Sequence, residues 1–194
     1  MEWTANEFGG ILLKFDDGNI AINGGGSLQA VETAYIVDNK PPRAVFLTCE
    51  HYHRSHNVDR FCLKYNLPLY VSYLCAERLN LEGINTHFFD VPGSNFYAKF
   101  GFWMTSFPVR YDSIDPFFMI FNDGSGNYGF VFDGKVSPEM SKYLLDCDEI
   151  ILQNIQNVDA ESDLILDRRI GSVYNSQKEL NEILSCYTGK IFYL

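Results

Sequence analysis

The stretch AVFLTCEHYHRSHN, residues 44–57, limits the possible folds of this chain more than any other. Ala44 to Thr48 is a short continuous apolar run, the pattern of a strand buried on both faces. Directly behind it stand His51, His53 and His56, three of the chain's four histidines within six positions. Residues 57–66 then read as a helix, and Leu67 to Val71 as a second strand. Donors on a tight loop at a strand end can converge on one ion, because the strand fixes their directions. A solvated loop or a helix cap is the plainer reading of the same histidines.

The rest of the sequence surrounds this segment with β-structure. Gly10 to Phe15 and Asn19 to Asn23 are strand-like runs separated by Asp16-Asp17-Gly18, a strong hairpin signal. Gly24-Gly25-Gly26 lacks the lysine of a phosphate loop and reads as a tight turn beneath the histidines. A helix is predicted over 27–38 and another from Cys75 to Leu81, closed by Gly83. From His87 to Asp133 the pattern is β-rich, with YAKFGFWMTSFPV (97–109) read as one run. Pro138 to Leu145 and Asn175 to Leu184 read as helices, residues 150–152 and 190–194 as strands. His87 reads as a core or surface imidazole, and the aromatic run of Phe100, Phe102, Trp103 and Phe107 as core packing. This order predicts two sheets packed face to face with helices outside, in one domain over 1–194.

Composition narrows the function. Hydrophobic residues make up 46% of the 194 and aromatics 15%, which suits a globular chain. A net charge of −10 repels phosphate backbones, so broad nucleic-acid binding is disfavoured. No apolar run approaches the ~18 residues that span a bilayer. The start MEWTANEFGG has no basic-then-apolar pattern. The expectation is a soluble cytoplasmic protein without membrane contact, with a small molecule, another protein or a second copy of itself as partner. The five cysteines are scattered and form no CxxC, so they signal neither a zinc ribbon nor a disulfide framework.

The histidine segment, followed by a helix and the strand KYNLPLY (64–70), resembles the first metal-binding motif of the metallo-β-lactamase fold, closest to its phosphodiesterase and ribonuclease Z-like nuclease branch. FPVRYDS (107–113) is similar to that branch's V-P-H-D-A segment. GFVFDGKVS (129–137) is similar to its strand with the metal-bridging aspartate, and GSVYNSQKELNEIL (171–184) to the helix start with its last histidine. The resemblance implies a four-layer αββα sandwich of two mixed β-sheets with outer helices, an α/β (α+β) fold.

The resemblance also implies a site in which several ligand positions are replaced. In one register His51, His53 and His56 take the family's three histidines, at the cost of a two-residue shortening. In the other, preferred because strand and helix both fix its phase, Cys49 and His51 take the first two histidines, His53 the aspartate and Arg54 the third histidine. Tyr111 and Ser172 stand at two further histidine positions, Asp133 at the bridging aspartate, and Asn23 where an aspartate often precedes glycine. Serine and tyrosine are poor zinc ligands at neutral pH. Either register loses the two-metal clamp. Two readings follow: a binding or regulatory protein with an incomplete dinuclear site and no zinc, or a hydrolase of phosphodiesters or other small esters. The hydrolase would hold one zinc on Cys49, His51, His53 and Asp133, with Tyr111 or His53 assisting proton transfer. A third reading is a structural subunit whose aromatic surface makes an oligomer.

Overall fold

The computed structural model describes residues 1–7, 9–152 and 177–194. The chain divides into two compact units, one of residues Met1–Asp90 with Ser113–Asp115, the other of Val91–Asp112 with the chain from Pro116 onward.

The first unit is built on a six-stranded mixed sheet in the order β1 to β6: β1 (Glu2–Ala5), β2 (Ile11–Lys14), β3 (Ile20–Ile22), β4 (Ala44–Leu47), β5 (Leu69–Ser72) and β6 (Thr86–Phe89). The first three are antiparallel and the last four parallel. The predicted hairpin is present, with Ile11 opposite Ile22 and Leu13 opposite Ile20. Gly18 adopts φ +129° in its turn, which only glycine does without strain. All four residues of β4 are buried, as its apolar run requires. Alternate residues of the sheet, among them Leu12, Val45, Leu47, Leu69 and Val71, pack on α1 (Leu28–Tyr35) and α3 (Val58–Tyr65). Ser27 caps α1 by accepting from Ala30 N at 3.2 Å.

Two expectations are corrected in this unit. The helix read over 75–81 is a single turn, α4 (Tyr73–Ala76), which starts early because Ser72 Oγ caps it at Cys75 N. Between β4 and α3 lies a separate short helix, α2 (Tyr52–Ser55). It is parted from α3 by Asn57 at φ 60°, a left-handed conformation that asparagine tolerates better than most residues.

The second unit carries another six-stranded mixed sheet in the order β12 to β7: β7 (Gly93–Tyr97), β8 (Phe102–Pro108), β9 (Phe117–Asn122), β10 (Asn127–Val131), β11 (Glu149–Leu152) and β12 (Lys190–Tyr193). β7 to β10 pair antiparallel and β10 to β12 parallel. The run 97–109 is thus two strands, turned at Gly101 (φ +76°) with Phe100 N and Gly101 N both donating to Tyr97 O. Phe100 and Phe102 are buried as expected, whereas Trp103 is half exposed beside Phe96. Phe118, Val131, Ile150 and Leu152 pack with Leu144 of α5 (Pro138–Leu144) and Leu180 of α6 (Gln177–Ile183).

Four of the five free cysteines are buried. Burial pushes the Cys62 and Cys147 thiols up to about 12, so they remain protonated and pack as small apolar groups. Among the described residues no helix is long and apolar enough to cross a membrane.

Candidate functional site

The histidine loop begins where β4 ends, and its first strut is a side chain. Asn23, wholly buried and at φ 63°, follows β3 and donates its backbone N–H to Phe46 O at 2.7 Å. Its Oδ1 accepts both the backbone N–H of Thr48 (3.0 Å) and the Thr48 hydroxyl (2.9 Å). Because Thr48 N–H can only donate, the amide orientation is fixed, and Nδ2 is a buried donor without a hydrogen-bond partner among the described residues. The family's aspartate at this position would present only acceptors.

The glycine run packs against the loop, as its sequence suggests. Gly24 N donates to Arg54 O at 2.7 Å and Gly25 N to His56 O at 3.3 Å. Asn57 Nδ2 returns a bond to Gly26 O at 2.9 Å. A Cβ on Gly24 would collide with Val58 Cγ2, so only glycine permits this approach.

The named side chains then take separate directions. Cys49 is buried at 3% exposure. His51, the N-cap residue of α2, is half-buried, with Nε2 at 3.8 Å from Glu50 Oε1. His53 is exposed, and its ring lies 5.8 Å from that of His51. His56 does not start the long helix; it caps the C-terminal end of α2, stacked on Tyr52 at 4.1 Å with Tyr52 Oη at 3.0 Å from Nε2. Arg54 is the largest fully buried side chain among the described residues, 1% exposed, and its Nη1 donates to Gly9 O at 2.7 Å. Tyr35 shares this interior, donating to Ile22 O and Asn23 O at 2.9 and 3.0 Å. Burial pushes its hydroxyl far above the ordinary range, although the Arg54 charge opposes this.

Sequence reasoning missed Glu50. Its Oε2 accepts the Ser113 hydroxyl at 2.6 Å and its Oε1 the Ile114 N–H at 3.2 Å, tying residues 113–115 to the first unit. An acidic residue between two proposed ligands was visible, but its partner lies 63 positions away and carries no pattern that pairs them.

In the second unit, Tyr111 and Asp133 are brought onto neighbouring segments. Arg110 N donates to Lys135 O at 3.1 Å and Lys135 N to Arg110 O at 2.8 Å. Gly134, at φ 101°, lies between them so tightly that a Cβ would stand 2.6 Å from Val109 Cγ2 and 3.2 Å from Tyr111 Cβ. Asp133 is buried at 6% exposure and Tyr111 is half-buried. Ser172 lies outside the described residues.

The donor set can now be tested against a metal. His51 and His53 are a pair of imidazoles, and a stable protein zinc site needs three or four donors. Among the described residues no group of three or more histidine, cysteine, aspartate or glutamate side chains is close enough to hold an ion. The described residues of the loop therefore offer two imidazoles side by side, fewer donors than a resident zinc needs.

No family model matches the chain, and no curated protein matches it. Solved structures do. The metallo-β-lactamase fold protein YhfI from Bacillus subtilis is 14% identical with a TM-score of 0.69, over 95% of this chain and 88% of that one. A diphosphatase of the PhnP family is 11% identical with a TM-score of 0.70, over 95% and 70%. Zinc-bound PqqB from Methylobacterium extorquens is 13% identical with a TM-score of 0.68, over 88% and 69%. The chain therefore has the metallo-β-lactamase fold, and the expected class of two mixed sheets with helices is borne out.

Proposed function

We propose that this chain is one metallo-β-lactamase-like domain whose dinuclear metal site is incomplete, and that it acts by binding rather than by metal-assisted hydrolysis. The observation that supports this reading is Arg54. In the gap-free register it occupies the third-histidine position, and its guanidinium is built into the interior on the Gly9 carbonyl. A permanently charged cation cannot ligate a metal. Its burial makes the residue part of the loop's framework. The other register fares no better, since His56 is engaged with Tyr52. The acidic chain favours a small molecule or a protein over nucleic acid as the thing bound.

The second reading, a one-zinc hydrolase, draws support from the His51–His53 ring pair and from the likeness to a diphosphatase and to zinc-bound PqqB. The two are separated by an assay with bis-p-nitrophenyl phosphate and cyclic nucleotides in excess zinc or manganese. Binding without catalysis predicts no turnover above the metal-only background. Turnover that needs the metal and disappears in Asp133→Ala would replace it with the hydrolase.

A further inference from the structure

A concave site lies beside α2 and the start of α3, within the first unit. It is a cavity of about 190 Å³. Its floor is apolar: Leu47, Val58 and Leu69, all at most 2% exposed. Leu79 and Leu81, in the chain beyond α4, supply an apolar wall. The Tyr52–His56 pair also lines it, its stacked rings joined by the hydrogen bond between the Tyr52 hydroxyl and His56 Nε2. Asp59 adds a carboxylate to the lining, and among the described residues that line the cavity there is no lysine or arginine.

Each of these features restricts the ligand. A leucine-lined cavity of about 150 Å³ accepts benzene, so this volume suits one aromatic ring with a short substituent. Leucines and an aromatic pair in one lining favour a planar apolar body that can stack. One carboxylate, no opposing cation in the lining and a chain charge of −10 favour a positive substituent and repel a negative one. We propose that this cavity binds a small aromatic amine, with its ring on the leucine floor beside Tyr52 and His56 and its ammonium at Asp59. The Cys49, His51 and His53 positions of the preferred register are not among the residues that line it.

The test uses three probes of equal shape and different charge: benzylamine, toluene and benzoate. With only four histidines, the ring-proton NMR signals report the site directly, His56 in the cavity lining and His87, which is outside the lining, as the control. Benzylamine is expected to shift His56 saturably and leave His87 in place, with toluene weaker and benzoate weaker than benzylamine by at least about tenfold. Leu79→Phe, which fills the cavity with a ring, should abolish the shift, and Leu81→Phe serves if that variant does not fold. Asp59→Asn should reduce benzylamine to the level of toluene. The proposal is overturned if His56 shows no saturable shift or if benzoate binds as well as benzylamine. A shift that survives filling of the cavity, or benzylamine binding unchanged by Asp59→Asn, overturns it equally.

Discussion

The two segments that carry the residues singled out from sequence are held by opposite means. The 48–57 loop is braced by side chains: Asn23 on Thr48, Arg54 on Gly9, Asn57 on Gly26, and Glu50 on Ser113. Residues 109–111 and 133–135 are joined backbone to backbone across Gly134. The difference shows where substitution has consequences. A backbone bridge depends first on the glycine at 134, where a Cβ would press on Val109. A loop braced by its own polar side chains depends on those side chains.

The largest effect should come from Arg54. Arg54→Ala leaves a large cavity and deprives the Gly9 carbonyl of its donor, a loss of about 3–5 kcal/mol measured by denaturant unfolding. An arginine reaching into an open site mouth would change stability by less than about 0.5 kcal/mol, so a small value breaks the comparison on its first-unit side. Gly134→Ala comes next. It combines a left-handed backbone with a methyl pressed on Val109, and should cost about 2–3 kcal/mol in the same measurement. A neutral result would mean that the backbone bridge is not the fixed element of the second segment. The smallest change is Ser113→Ala, about 1 kcal/mol for the lost hydroxyl bond to Glu50. Its sharper readout is faster amide hydrogen exchange at Ile114, whose N–H also rests on Glu50.

Much of this architecture was legible because its signals are local. The Asp-Asp-Gly turn announced the β2–β3 hairpin, Ser27 the start of α1, and the apolar run 44–47 a strand buried on both faces. Gly24 to Gly26 could be read as a tight turn beneath the histidines, although not that Gly24 meets Arg54 O and Val58. The errors have a common cause. The 97–109 run was split by Gly101, a turn masked by continuous aromatic residues. α4 was placed late because one capping serine outweighed the glycine at 83. The short α2 before the 57–66 helix was not legible, because nothing in HRSHN reveals that His56 caps one helix and Asn57 turns left-handed before the next. For the site, spacing located the loop but not the direction of each side chain. Whether Arg54 faces a site or the interior depends on Gly9 and Tyr35, which lie far away in sequence. The Glu50 tie to residues 113–115 was invisible for the same reason.

The central claim is that the loop is held by its own side chains, and the proposal resting on it is that the dinuclear metal site is incomplete. The most direct test is the zinc content of protein purified without chelator, measured by mass spectrometry for the parent chain and for Asp133→Ala, together with thermal unfolding with and without EDTA. The account predicts zinc well below one ion per chain in both proteins and an unchanged melting temperature on adding EDTA. One or two zinc ions per chain, lost in Asp133→Ala and accompanied by EDTA-induced destabilisation, would contradict it.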